Sequence, residues 1–229
     1  GIIVEPLQRL IPPVPGFLEG LRKLADNFEI PLIFDETVTG FRLAYGGAQE
    51  FYGVTPDICT LGKAIGGGFP LTAVAGKNKF MENFDKDISD PDSFLPQVGT
   101  LSGNPIACAA GLETLSILKE EGTYKKMFEY GNIIKSHLKK EFSSAGIDCV
   151  IQGENVLFDI FFCDENTKIN DYRSTLSADV RMLDKFNRSL LSSGVLKGAS
   201  KFYFSSVHNN DDMDVTIQAI NQAVKEFMS

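Results

Sequence analysis

Residues 57–70 read Asp57-Ile58-Cys59-Thr60-Leu61-Gly62-Lys63-Ala64-Ile65-Gly66-Gly67-Gly68-Phe69-Pro70. The run from Asp57 to Leu61 lies between Gly53-Val54-Thr55-Pro56 and a glycine cluster, which predicts a short buried strand. Upstream, Ile30 to Phe34 forms a second short apolar run, closed by Asp35, and Ile2 to Val4 a third. Between these two, after Pro12-Pro13-Val14-Pro15, the residues Phe17, Leu18, Leu21, Leu24 and Phe28 recur at helical spacing. The order is therefore strand, helix, strand, with a further strand predicted over Leu71 to Ala75. Such alternation predicts an α/β fold with a mostly parallel sheet.

Asn104-Pro105 supplies an N-cap and a first-turn proline for a helix through Ala107, Ala110, Leu112 and Leu115 to Leu118. Past residue 121 the pattern changes. Residues 122–145 read as a long amphipathic helix, Ile147 to Ile151 and Val156 to Phe162 as strands, and Leu176 to Leu191 as a helix. Phe202 to Ser206 reads as a strand, and a last helix starts near Asp211, where Asp211, Asp212 and Asp214 suit the positive end of its dipole. The expected domains are 1–121 and 122–229, the second a smaller α+β unit.

Composition narrows the function classes. The 229 residues carry a net charge of −8 with 43% hydrophobic and 23% charged residues, an ordinary soluble balance. An acidic chain without a Lys/Arg run argues against nucleic acid or an anionic membrane as the main partner. No apolar stretch approaches the length of a membrane span and no signal sequence opens the chain, so a cytoplasmic location is expected. Cys59, Cys108, Cys149 and Cys163 fit neither a zinc pattern nor a disulfide framework and read as reduced, mostly buried thiols. Two histidines, His137 and His208, leave no room for a His-rich metal site. The opening Gly1-Ile2-Ile3-Val4-Glu5 is a strand already under way without an initiator Met, as expected of a piece of a longer chain.

Three segments can carry chemistry. Asp35 emerges at the carboxyl end of a buried strand, the edge where open α/β sheets bind ligands; the same carboxylate could instead cap the following turn. Glu36 points the opposite way and is not expected to form an acid/base pair with it. Lys63 follows a strand and is enclosed by four glycines within seven residues. Desolvation in such a place would favour an amine nucleophile, while a surface loop lysine is the bland reading. Gly99-Thr100-Leu101-Ser102-Gly103-Asn104-Pro105 precedes a helix, where amides and a hydroxyl can hold an anion such as phosphate, or simply form a capped loop. The phosphate loop, dinucleotide fingerprint and nucleophile elbow are all absent.

Jointly, Leu32-Ile33-Phe34-Asp35-Glu36-Thr37-Val38-Thr39-Gly40-Phe41-Arg42, Gly46-Gly47-Ala48-Gln49, Gly53-Val54-Thr55-Pro56-Asp57, the Gly62-Lys63 loop with Gly66-Gly67-Gly68-Phe69-Pro70, and Gly99 to Pro105 resemble the class III aminotransferases. These are pyridoxal 5'-phosphate enzymes of fold type I, and the branch resembled is that of glutamate-1-semialdehyde aminomutase. The resemblance implies that Lys63 forms the Schiff base and shuttles the proton, and that Asp35 pairs with the protonated pyridine nitrogen. It also implies that Thr37 packs on the ring, and that Thr100, beside Gly99, binds the cofactor phosphate of the neighbouring subunit of a homodimer.

Two departures accompany it. Thr37 stands where the family commonly has Val, a swap of methyl for hydroxyl with a small expected effect on binding. Ser200, in Gly198-Ala199-Ser200-Lys201-Phe202, stands where the aminomutase branch carries a glutamate near the substrate. The family's phosphate-gripping loop and ring-stacking aromatic precede a strand like Ile2 to Glu5. The implied function is amino-group transfer between an amine or amino acid and a carbonyl compound; Ser200 in place of the glutamate suggests, as one alternative, transamination of a sugar or polyketide-type ketone. The alternatives are an aminomutase and a non-catalytic fragment that dimerises without a complete site.

Overall fold

The computed structural model describes residues 1–228. They form two compact units, one of Gly1–Leu7 with Pro13–Glu121, the other of Gln8–Pro12 with the chain from Gly122 onward.

In the first unit, β1 (Ile2–Val4), β2 (Leu32–Glu36), β3 (Ile58–Leu61) and β4 (Ala73–Gly76) form one sheet in that order. β1, β2 and β3 run parallel and β4 is antiparallel to β3. Pairing with β4 begins at Leu61↔Ala73, because β3 ends at Leu61; Leu71 and Thr72, expected in the strand, lie outside it. β2 runs two residues beyond its apolar run, since Asp35 and Glu36 keep pairing with Thr60 and Leu61. Helix α1 (Phe17–Asn27) connects β1 to β2, and its Leu18 and Ala25 pack with Leu32, Phe34, Val54 and Cys59. Phe17, Leu24 and Phe28, expected on the same face, are exposed: the first two fall on the neighbouring stripe of the helix, and Phe28 lies just past its end. Helix α2 (Gly47–Tyr52) precedes β3, and the single turn α3 (Asn78–Met81) follows β4. Helix α4 (Pro105–Lys119) is capped by Asn104, whose Oδ1 accepts from the Ile106 and Ala107 amides.

In the second unit, β5 (Val150–Glu154), β6 (Leu157–Phe161) and β7 (Phe202–Tyr203) form an antiparallel sheet. Its core joins Ile134, Leu138 and Phe142 of α5 (Thr123–Ser144) to Phe158, Ile160, Phe186, Leu190, Phe202 and Ile220. Aromatic edges and faces do much of the packing, with Phe142 and Phe162 at 5.3 Å and Phe158 and Phe202 at 5.1 Å between ring centres. Ile147 is taken up in closing α5, its amide donating to Phe142 O, so β5 starts three residues later than the apolar run suggests. The helix expected over 176–191 starts four residues later, and a separate short element precedes it. A single turn α6 (Tyr172–Thr175) carries its own capping box, and α7 (Val180–Ser192) starts at Asp179, whose carboxylate accepts from the Arg181 and Met182 amides. Ser205 turns away from β7 by donating its amide to His208 Nδ1, and α8 (Asn210–Met228) closes the unit.

A buried ion pair also lies in this unit. Lys197 Nζ is 2.9 Å from Asp159 Oδ1, and both side chains are almost fully enclosed. Burial pushes the Asp159 carboxyl up and the Lys197 amine down, and their mutual attraction opposes both shifts. All four cysteines are free; only Cys59 is buried, and Cys108, Cys149 and Cys163 are half-buried rather than in the core as expected. No helix among the described residues is long and apolar enough to cross a membrane.

The start of β3 is tied to its neighbours by Asp57, expected as the first residue of the strand and found just ahead of it. Its buried carboxylate accepts from the Leu32 amide at 2.8 Å, from Arg22 Nη1 at 2.8 Å and from Lys77 Nζ at 2.6 Å. Burial works to raise its pKa, but the bonds from Lys77, the Leu32 amide and Arg22 prevail and bring it from the ordinary 3.8 down to about 2. A carboxyl depressed in the folded state stabilises above its unfolded pKa, and that contribution, about 2 kcal/mol, is lost as the pH falls through the folded value. Asp57→Asn is therefore expected to lower unfolding stability by about 2 to 3 kcal/mol at neutral pH. Urea titrations from pH 7 to pH 2 should also find the variant's acid-induced loss smaller than that of the unsubstituted chain.

Candidate active site

Because β2 and β3 are parallel, their carboxyl ends share one sheet edge, and the register sets Asp35 beside Thr60. Three donors converge on one oxygen of Asp35. Thr37 Oγ1 lies at 2.6 Å, the Thr37 amide at 3.0 Å and Thr60 Oγ1 at 2.9 Å, all on Oδ1. Among the described residues Oδ2 has no hydrogen-bond partner. The Thr37 hydroxyl is the main cause that holds the Asp35 carboxyl below the usual range, against the opposing effect of burial. The Thr37 amide, Thr60 and the positive charge of Lys63 add to it. Asp35 thus does cap its own turn, and the same bonds keep it ionised at the sheet edge.

Lys63 is reached two residues past the end of β3. Gly62 is extended, Lys63 turns to φ 49°, and a 3-10 turn spans Lys63–Gly66. A left-handed φ on a residue with a Cβ costs about 1 to 2 kcal/mol, strain of the kind that collects at functional sites. Lys63 is exposed rather than desolvated, contrary to what the flanking glycines suggest. The glycines are there partly for packing. At Gly67, with φ 56°, a Cβ would stand 2.3 Å from Thr114 Oγ1 of α4. A Cβ on Gly62 would lie 3.2 Å from the Thr37 methyl, so any side chain there would crowd Thr37 just ahead of the lysine turn.

Glu36 serves the other face of the sheet. Fully buried, it accepts from Thr39 Oγ1 and the Ala48 amide on Oε2, and from the amide and side chain of Gln49 on Oε1. Its negative charge thus sits on the amides that open α2. A cavity of about 700 Å³ also lies here, lined by Phe41, Tyr45, Gln49, Cys59 and Leu61 among others, and it includes neither Asp35 nor Lys63.

Gly99 and Thr100 lie in an exposed turn ahead of α4, with no hydrogen bond or ion pair to Asp35 or Lys63 among the described residues. The first free amides of α4 are partly taken by Asn104. The structure therefore brings together Asp35, Thr37 and Lys63, adds Thr60, and leaves Gly99 and Thr100 apart. Thr60 had no signal of its own in the sequence, since its relation to Asp35 appears only once the strands are paired.

Chemically, the edge offers an anionic oxygen free to accept one N–H, and a primary amine on a strained turn.

Residues 1–198 match the family described as aminotransferase class-III, and the chain belongs to that family. It is 39% identical to a glutamate-1-semialdehyde 2,1-aminomutase from Natranaerobius thermophilus over 99% of this chain and 52% of that protein. It is 42% identical to one from Chlorobium phaeobacteroides over 96% and 51%. An omega-transaminase from Sphaerobacter thermophilus, 27% identical, superimposes with a TM-score of 0.91 over 100% of this chain and 52% of that one. The chain thus spans about half the length of the curated relatives it matches.

The strain at Lys63 is open to measurement. Lys63→Gly relieves the left-handed backbone and is expected to raise unfolding stability by about 1 kcal/mol, whereas Lys63→Ala, which keeps a Cβ, should give no such gain. Thermal unfolding of the two variants side by side checks it.

Proposed function

We propose that this chain carries the lysine and the aspartate of a pyridoxal 5'-phosphate site, and that the protein transfers an amino group between an amine or amino acid and a carbonyl compound. The observation that carries the reading is the unpartnered Oδ2 of an ionised Asp35 at the same sheet edge as the strained, exposed Lys63. Family membership supports it, as does the likeness to a solved transaminase with the cofactor bound, 25% identical to this chain.

The residues fit the cofactor. Asp35 Oδ2 would accept the pyridine N–H, and the Lys63 amine would meet the aldehyde. When bound, the cofactor supplies an electron sink for the charge left on a deprotonated substrate carbon. The chain's own work is then small and well defined. Asp35 holds a proton on the ring nitrogen, Thr37 and Thr60 hold Asp35, and Lys63 Nζ takes the proton from the substrate carbon and returns it to the other carbon. Thr100 and Gly99 belong to the same proposal as groups for the cofactor phosphate of a neighbouring subunit in a homodimer, a role suited to an exposed turn. A cytoplasmic setting completes it.

The names of the relatives at 39% and 42% identity favour a second reading, an aminomutase in which donor and acceptor are one molecule. Against it stands Ser200, exposed where a glutamate is expected. Turnover that needs no added amino donor would select the aminomutase.

Borohydride reduction in the presence of pyridoxal phosphate, followed by peptide mass mapping, tests the site. The expected result is one phosphopyridoxyl group, on Lys63, lost in Lys63→Ala together with at least about a 10²-fold fall in amino transfer. Label scattered over surface lysines would contradict the assignment and favour a non-catalytic fragment.

A further inference from the structure

Asp35 is held by two different parts of the fold. Thr37, just past the end of β2, gives both its amide and its hydroxyl to Oδ1, and Thr60 gives its hydroxyl from β3 to the same oxygen. Whichever carboxylate oxygen occupies that position, one is saturated by three donors and the other is presented bare. The 2.6 Å bond from Thr37 is the shortest of the three. The methyl of Thr37 lies elsewhere, as the group a Cβ at Gly62 would meet at 3.2 Å, and so sits beside the residue that leads into the Lys63 turn. One side chain thus bonds the aspartate through its hydroxyl and sets its methyl beside Gly62, the residue that leads into Lys63.

We propose that Thr37 is a positioning residue, whose hydroxyl fixes the plane of the Asp35 carboxylate and weakens it as a base, so that a proton shared with a ring nitrogen stays on the nitrogen. This rests on the assignment of Asp35 to the pyridine nitrogen. The physical reason is charge. Three donors draw electron density from the carboxylate, and a carboxylate so relieved competes poorly for a proton while still attracting a cation. Without the hydroxyl the carboxyl is freer to rotate about Cβ–Cγ, held only by Thr60 and the Thr37 amide, and it becomes the stronger base.

Two substitutions separate the roles of hydroxyl and methyl. Thr37→Val keeps the branched shape and the methyl and removes only the donor. Thr37→Ser keeps the donor and removes the methyl. In the cofactor-free full chain, the carbon-13 shift of the Asp35 carboxyl is followed against pH for all three versions. Thr37→Val is expected to raise the Asp35 midpoint by about one pH unit, and Thr37→Ser to stay close to the unsubstituted value.

Equilibrium binding of pyridoxal phosphate, read by absorbance, should weaken about fivefold in Thr37→Val, more than the small effect expected from the swap of side chains alone because Asp35 here is ordered by the hydroxyl, and recover in Thr37→Ser. Circular dichroism confirms that each version is folded. An unmoved midpoint in Thr37→Val, or a Thr37→Ser that shifts as Thr37→Val does, overturns the inference. The failure of the underlying assignment looks different. If Lys63 takes no label in any version while the Thr37→Val midpoint still moves, Thr37 orders Asp35 but the cofactor assignment falls, and with it the purpose given to that order.

Discussion

The parallel pairing of β2 with β3, in the register that sets Asp35 beside Thr60, is the constraint on which the site depends. It puts the carboxyl ends of two strands at one edge, so an aspartate near the end of the first and a lysine just past the end of the second become neighbours though 28 positions apart in the chain. A slip of one residue would turn every side chain of a strand to the other face of the sheet. Asp35 would then exchange places with Glu36, and neither carboxylate would find its partners.

Three carboxylates close together in the fold show how surroundings divide the work. Asp57 is enclosed by two cations and an amide and serves stability. Glu36 is fully buried with both oxygens bonded, anchoring the start of α2 from the face opposite the site. Asp35 alone keeps one oxygen bare. A saturated carboxylate holds a fold together, and a half-saturated one is ready for a ligand. The strained turn at Lys63 follows the same division: local strain persists at the edge because Asp57, Glu36 and the α1–sheet core hold the surrounding structure firmly.

What the sequence made legible was local. Apolar runs and helical spacing located the four strands of the first unit and α5 to within a few residues, and they put Asp35 and Lys63 at strand ends. The rest depends on pairing between distant residues. Thr60 reaches Asp35 across 25 positions and Arg22 reaches Asp57 across 35, so neither bond has a signature in its own segment. The Asp159–Lys197 pair is hidden for the same reason. Strand ends such as Leu71, Ile147 and Ser205 have the right residue types but no partner, or are claimed by a turn or a helix end. Exposure is not legible where composition stands in for geometry, as with Lys63 among its glycines and Phe17, Leu24 and Phe28 on or beside α1.

In the proposed site, Asp35 presents an ionised oxygen to a ring nitrogen at the edge shared with Lys63. Reconstitution with pyridoxal phosphate carrying nitrogen-15 in the ring, followed by nitrogen-15 NMR, tests it most directly. The ring nitrogen is expected to be protonated in the unsubstituted protein and unprotonated in Asp35→Asn, with the cofactor bound in both. An identical nitrogen shift in the two proteins would contradict it.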